Sequence, residues 1–181
     1  MNPSLVGSEM CIRDSGAPEN ISISVKDYYY EVSVNSEIRP WSFSYSHLSI
    51  GNSHCIVFSK DSFNDKEKIS NILNSLYDSS VNISFVLNIE EFVQEHDSSI
   101  ILRVNERGAG WTKSCGSGAT ATGAFISRFM LLPENGSKKI NELDISQEGG
   151  ELKIQNIFMT DLDGKYSPEL YLFGPSTFEY D

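Results

Sequence analysis

The stretch NERGAGWTKSCGSGATATGAF, residues 105–125, places Cys115 between a charged, glycine-broken loop and a run of small residues. Two basic residues, Arg107 and Lys113, precede the cysteine closely, and a helix is predicted to begin directly after it. A thiol at a helix N-terminus faces the positive end of the helix dipole and free backbone N–H groups, and both lower its pKa. The stretch therefore predicts a reactive cysteine whose pKa lies below the usual value.

The same helix start predicts a carboxylate site, because the backbone N–H groups of Gly116 and Ser117 have no partner within the helix. One short segment would then supply both a base and an anion site. A structural alternative stays open on spacing alone, since free cysteines are commonly buried small hydrophobes and glycine–serine runs are commonly turns.

Bulk composition excludes several classes of protein. Of 181 residues, 39% are hydrophobic, which is enough for a globular core, and the net charge is -11. Such an acidic chain is not expected to bind nucleic acid or an anionic membrane, and no apolar run is long enough for a membrane span or a signal peptide. We expect a cytoplasmic protein with small-molecule or protein partners. Three cysteines without paired spacing predict reduced thiols and no metal site.

The N-terminal segment is treated separately. Residues 5–15, LVGSEMCIRDS, resemble a translation of the transposon-end adaptor used in sequencing libraries. We interpret residues 1–15 as an assembly scar and leave Cys11 out of the argument. A frame entered through an adaptor implies a longer natural protein, so the sequence is expected to be truncated. The alternative is a natural N-terminus of mixed polarity.

From Gly16 onward the chain is predicted to be mostly β-structure with two helices. Period-two alternation predicts a hairpin turning at Lys26 and Asp27, and apolar residues at helical spacing predict a helix over 64–78, capped by Asn64 or Asp65. Further strands are predicted around 48–50, 55–58, 81–89, 100–106, 142–146, 151–162 and 169–180, with a loop at 90–99 and a turn at 147–150.

The second helix is predicted from Gly116 or Ser117 to about Leu132, where Pro133 follows. Its first half consists almost wholly of small residues, which allow a helix to lie close to other backbone. We therefore expect an α+β fold in which β-strands wrap round this central helix.

Three blocks of residues, in order along the chain, resemble the diaminopimelate epimerase family. RVNERGAGWTKSCGSGATA, residues 103–121, resembles the family's signature around its second catalytic cysteine, where Glu-Arg-Gly-x-Gly precedes Cys-Gly-(Ser/Thr)-Gly-Ala. GNSHCIVF, residues 51–58, resembles its Gly-Asn-Pro-His block, and VNISFV, residues 81–86, resembles its Asn-(Ile/Val)-x-Phe block. GGELKI and FGPS also resemble the closing segments of the family.

The resemblance implies a cofactor-independent isomerase of lysine biosynthesis that inverts one α-carbon of diaminopimelate between the L,L and meso forms. The family uses two cysteines on opposite faces of that carbon, and inversion requires this geometry. By resemblance, Cys115 is one of the pair, and Glu106 and His54 assist in the catalytic site. The substrate-binding residues implied are Asn52, Asn82, Glu106, Arg107, Gly116 and Ser117, with Arg107 as a fork for the distal carboxylate.

Each of these residues also has an ordinary structural interpretation. Asn52 is a common turn residue, and Asn82 could cap a strand end. Glu106 and Arg107 could form a surface ion pair, which contributes little. His54 alone would more often be a strand histidine than an acid–base group, and Cys55 is predicted to lie in the core.

The chain departs from the family pattern in its first half. The family's other cysteine belongs to a Cys-Gly-Asn-Gly-type motif, and none occurs in residues 16–45. We therefore predict a remnant of the earlier lobe with a linker at 16–45 and the later lobe of a two-lobed fold at 46–181. A missing N-terminal lobe is the predicted partner, a homodimer is compatible with the sequence, and the chain alone is predicted to be inactive.

Smaller departures leave alternatives open. Ser53 replaces the usual proline, Trp111 stands in the predicted active-site loop where glutamate is frequent, and a strand at 177–180 is predicted to be unpaired. The alternatives are another racemase or isomerase of the same fold, acting on proline for example, and a non-catalytic module that binds carboxylates.

Overall fold

The computed structural model describes residues 21–26, 29–35, 40–59, 61–95, 99–127, 142–160 and 166–175. Four sequence-based predictions lie outside these ranges. They are the scar at 1–15, the turn residue Asp27, the end of the second helix at Leu132 and the closing strand at 177–180.

Ten strands and three α-helices make up the described residues, which confirms the α+β prediction. The strands join one sheet in the order β1-β2-β3-β4-β5-β6-β8-β9-β10, and β7 pairs with β6 at the side. The strands are β1 (Ile21–Val25), β2 (Tyr30–Val34), β3 (Trp41–Ser49), β4 (Ser53–Val57), β5 (Asn82–Val86), β6 (Ile100–Glu106), β7 (Gly110–Thr112), β8 (Glu142–Gln147), β9 (Gly150–Thr160) and β10 (Tyr166–Phe173). The helices are α1 (Lys66–Leu76), α2 (Ile89–Glu95) and α3 (Gly116–Phe125).

Each strand predicted within these ranges overlaps a described strand, but several bounds differ: β5 ends at Val86, β10 ends at Phe173, and β3 is longer than expected. β1 and β2 form the predicted antiparallel hairpin, and the Lys26 N–H donates to the Tyr29 carbonyl across the turn at 2.9 Å. β3 begins at Trp41 rather than near Leu48, because Phe43 and Tyr45 alternate with serines and are buried. β3 therefore crosses the boundary that the sequence suggests between residues 45 and 46.

Two local predictions are wrong. Asp65 precedes α1 as expected, but its carboxylate accepts a hydrogen bond from Lys68 Nζ at 2.6 Å instead of capping the backbone. A 3₁₀ turn at Ser62–Asp65 leads into the helix there. The segment at 90–99, predicted as a loop, contains most of α2. The buried residues of α2, Ile89 and Phe92, are too few to show helical periodicity in the sequence.

Strands β4, β5 and β6 separate two cores. On one side, α1 packs its buried residues Ile69, Ile72 and Leu73 against the sheet. On the other side, α3 contacts β3, β4, β5, β9 and β10, so it is enclosed by strands as predicted. The small residues of α3 are required by this packing, since a Cβ at Gly123 would lie 2.8 Å from an atom of Ile154.

Candidate active site

The pairing of β4, β5 and β6 brings three predicted site residues to neighbouring positions. In the parallel β4–β5 pair His54 lies opposite Asn82, and in the antiparallel β5–β6 pair Ile83 lies opposite Asn105. Continuing that register by one residue places Asn82 opposite Glu106, the last residue of β6. These residues are distant in sequence, and the sheet alone makes them neighbours.

Cys115 is the N-cap residue of α3, so the predicted helix start at Gly116 is confirmed. Its backbone is extended (φ -139°, ψ 106°), and its Sγ accepts a hydrogen bond from the Gly118 N–H at 3.3 Å. The Ser117 hydroxyl lies 3.5 Å from the same sulfur. The residue is 4% exposed, so the thiol lies in a nearly closed environment.

The predicted low pKa of Cys115 is wrong in sign. Burial raises the pKa of the thiol, and this effect exceeds the lowering by hydrogen bonds from Ser117 and Gly118. The nearby Glu106 carboxylate raises the pKa further. Arg107 and Lys113, which are close in sequence, are both exposed. The helix start is present as expected, but loss of hydration decides the direction of the shift.

A chain of hydrogen bonds runs from His54 to the cysteine. His54 is fully buried, and its Nε2 lies 3.0 Å from Asn52 Oδ1. Asn52 Nδ2 donates to Ser117 Oγ at 3.4 Å, and Ser117 in turn contacts Cys115. Because the Asn52 oxygen can only accept, Nε2 carries the proton in this assignment. Asn52 is therefore a bridge between the β3–β4 turn and the start of α3.

The His54 imidazole is neutral near pH 7. Burial lowers the pKa of His54 to about 4, and the Glu106 carboxylate offsets this only in part. His47 adds a smaller lowering effect on the same pKa. Among the described residues, His54 Nδ1 has no hydrogen-bond partner. The ring can therefore accept a proton or a hydrogen bond at Nδ1.

Glu106 is held by a residue that the sequence did not indicate. Its Oε1 accepts a hydrogen bond from Thr112 Oγ1 at 2.6 Å. Thr112 belongs to β7, a three-residue strand that is too short to show a period. The carboxylate influences both Cys115 and His54, so it lies close to both. An ion pair with Arg107 does not occur among the described residues, so that structural interpretation of Glu106 is not supported.

Asn82 orients the loop that follows Glu106. Its Oδ1 accepts a hydrogen bond from the Arg107 backbone N–H at 2.9 Å, and the Asn82 side chain is buried. The Arg107 side chain is exposed. Asn82 thus fixes the backbone from which Arg107 extends, directly after the end of β6.

Gln147 is the other residue that the sequence did not indicate. It is buried at the end of β8, with its Oε1 2.7 Å from the Cys115 backbone nitrogen and its Nε2 3.1 Å from the Cys115 carbonyl oxygen. The sequence showed only a turn at 147–150. The available signal was the alternation of Leu143, Ile145 and Gln147, which places a glutamine in a buried row.

Trp111 and Cys55 lie on the opposite side of the sheet from Cys115. The Trp111 ring packs against Phe63 and Phe85, and its Nε1 donates to Glu67 Oε1 at 2.9 Å. Trp111 therefore joins the loop to α1 and does not face the thiol. Cys55 is fully buried among the residues that pack on α1, which confirms its prediction as a core residue.

Metal-binding clusters and membrane-spanning helices are both absent from the part of the chain that the structure describes. The described residues contain no group of three or more His, Cys, Asp or Glu side chains that could hold a metal ion. Within the same ranges, no helix has the length and apolar character needed to cross a membrane.

Sequence comparison with curated proteins identifies several relatives of this chain. It is 30% identical over 185 residues to the diaminopimelate epimerase of Buchnera aphidicola subsp. Baizongia pistaciae, an alignment that covers 98% of the chain. The chain is a homologue of the diaminopimelate epimerases. Those of Rickettsia massiliae and Rickettsia prowazekii are 28% and 29% identical over 176 residues, or 90% of the chain.

The relationship to the diaminopimelate epimerases covers only part of those proteins. The chain spans 63% of the length of the two Rickettsia relatives and 56% of the Buchnera relative. No family model matches the chain.

Proposed function

We propose that the chain carries one half of a diaminopimelate epimerase active site, with Cys115 as one acid–base group. The main support is the hydrogen-bonded chain from His54 through Asn52 and Ser117 to Cys115. All four residues are ones that the family resemblance assigns to the site. Lysine biosynthesis, a cytoplasmic location and a small amino-acid substrate belong to the same proposal.

Cys115 acts on one face of the substrate's α-carbon. In one direction its thiolate takes the α-proton, and the electron pair of the broken C–H bond is delocalised towards the substrate carboxylate. The N–H groups of Gly116 and Ser117 bind that carboxylate and stabilise the developing charge. In the other direction the thiol returns a proton to the carbon. Because burial raises the pKa of Cys115, the thiol form predominates at neutral pH, and this suits the donor role.

His54 and Glu106 set the environment of the reacting group. The neutral imidazole offers an Nδ1 acceptor that has no partner within the described part of the chain, and Thr112 holds the carboxylate of Glu106 in place. Asn82 orients the backbone of Arg107, whose exposed guanidinium suits bidentate binding of a second carboxylate. Asn52 and Asn82 contribute to substrate binding through the side-chain N–H groups that the hydrogen bonds described above do not use.

Inversion requires a second thiol, which we assign to an N-terminal lobe. Cys55 is unsuitable because it is fully buried in the core on the α1 side, where burial raises the pKa of its thiol. We retain residues 16–45 as a remnant of that lobe with its linker and 46–181 as the later lobe, joined through β3, and we include a homodimer in the proposal. The chain alone is proposed to be inactive as an epimerase, because one thiol serves only one face of the α-carbon, and exchange of the α-hydrogen without inversion is the only step left to it.

The test is incubation of the purified chain with L,L-diaminopimelate in heavy water, followed by NMR and chiral chromatography. We expect deuterium at the α-carbon without meso product, and no deuterium with Cys115→Ala. Cys11→Ser is the matched control, since it removes a thiol outside the proposed site. Conversion to the meso form that Cys115→Ala abolishes would contradict the one-thiol proposal.

A non-catalytic carboxylate-binding module is the second candidate, favoured by the raised pKa of Cys115. Protection of Cys115 from alkylation separates the two functions. Selective protection by diaminopimelate supports the epimerase half-site, and protection by proline supports another racemase of this fold. Equal binding of simple carboxylates, with no exchange of the α-hydrogen, supports the binding module.

A further inference from the structure

The turn between β8 and β9 holds the backbone on both sides of the Cys115 α-carbon. The amide group of Gln147 accepts the Cys115 N–H at 2.7 Å and donates to the Cys115 carbonyl oxygen at 3.1 Å. Gln147 is 7% exposed, so no bulk water competes for these bonds. One side chain thus satisfies the two backbone groups of a single residue, and that residue carries the thiol.

Two further contacts join the same turn to the site. The Gly149 N–H donates to the Lys113 carbonyl at 2.7 Å, and a Cβ at Gly149 would lie 3.0 Å from Ser114 Cβ and 3.1 Å from that carbonyl oxygen. Glu148 forms an ion pair of 2.9 Å with Arg103 of β6, the strand that ends at Glu106. The turn therefore links the cysteine segment to the strand of the carboxylate.

We propose that Gln147 is a positioning residue that fixes the Cys115 thiol against the start of α3, an inference that rests on the proposed function of Cys115. An N-cap residue lies outside the helix, so the hydrogen bonds of the helix do not fix its N–H. The bond from the Gly118 N–H to the sulfur forms only while Cys115 keeps its extended backbone. Gln147 maintains that conformation from a different part of the chain.

The experiment measures the alkylation rate of Cys115 by iodoacetamide against pH, from about pH 7 to 11, where thiols titrate. Mass spectrometry of the separate peptides distinguishes the three cysteines, and slow labelling of buried Cys55 reports an intact fold. In Gln147→Leu we expect the midpoint of the profile to rise by about one pH unit, because the thiolate loses a fixed N–H donor.

Two further variants keep the test decisive. Gly149→Ala displaces the Lys113–Ser114 segment by steric contact and should raise the midpoint in the same direction. Ile145→Val, in the same buried row of β8, is the matched control and should lower the melting temperature without moving the midpoint.

An unchanged midpoint in Gln147→Leu, despite an intact fold, would overturn the proposal. If Gln147→Leu does not fold, an unchanged midpoint in Gly149→Ala would do so. A different measurement, protection of Cys115 by diaminopimelate, shows whether the proposed function itself fails. In that case diaminopimelate would not protect Cys115 in the unmodified chain, whereas the midpoint would still depend on Gln147.

Discussion

The two faces of strands β4, β5 and β6 differ in how many buried polar atoms lack a hydrogen-bond partner among the described residues. The α1 face is an apolar and aromatic core, and burial raises the pKa of its cysteine, Cys55. Four buried side-chain atoms have no hydrogen-bond partner among the described residues, and three of them lie at or on α3: His54 Nδ1, Ser84 Oγ and Thr122 Oγ1. The fourth, Ser70 Oγ, belongs to α1.

Buried polar atoms without a hydrogen-bond partner lower the stability of a fold, so we expect the α3 face to contribute less stability than the α1 face. Ser84 Oγ and Cys115 Sγ would both lie 3.2 Å from a Cβ at Gly118, which places this hydroxyl in the surroundings of the thiol. The apolar packing on the α1 face stabilises the fold, whereas the α3 face contains buried polar groups that lower stability near Cys115.

The largest effect is expected from Leu73→Ala, which creates a cavity on the α1 face. Leu73 is fully buried, so we expect the free energy of unfolding to fall by about 2–5 kcal/mol. Urea denaturation measures this loss. Leu87→Ala, at a residue that is 39% exposed, is the control and should cost much less. A shifted Cys115 alkylation midpoint in folded Leu73→Ala would show that the two faces are not independent.

An intermediate effect is expected from acid, through His54 on the α3 face. The unfolded imidazole takes up a proton near its ordinary pKa of 6.5, whereas the folded one does so only at about 4. Lowering the pH through this window therefore favours the unfolded state, by on the order of 1–2 kcal/mol after allowance for screening.

Unfolding free energies at several pH values between 7 and 4.5 test this sign. His54→Asn should flatten the pH dependence, while His47→Gln, at an exposed histidine on β3, should retain most of it. An equally steep dependence in His54→Asn would assign the acid sensitivity to other groups.

The smallest effect is expected from Trp111→Phe, which removes the hydrogen bond to Glu67 but keeps a ring over Phe63 and Phe85. Because the bond is exposed, we expect a loss of about 0.5–1 kcal/mol. Calorimetry gives the loss, and Glu67→Gln, which keeps an acceptor, should cost less. Altered substrate protection of Cys115 in Trp111→Phe would mean that Trp111 acts across the sheet.

Much of the fold and part of the site followed from local patterns. Period-two alternation located the β1–β2 hairpin, helical spacing located α1, and the small residues after Cys115 predicted an enclosed α3. Short elements were missed, because α2 and β7 contain too few residues to establish a period. The hidden part of β3 alternates aromatic residues with serines, a weaker apolar signal than a run of branched residues.

The sequence by itself determined the position of Cys115 at a helix start, the order of the three motif blocks and the location of α1 and of most strands, because these depend on neighbouring residues. The tertiary structure alone decided the direction of the Cys115 pKa shift, the contacts of Gln147 with that residue and the face on which Trp111 lies. Burial, long-range hydrogen bonds and strand register depend on residues far apart in the chain, and no local pattern encodes them.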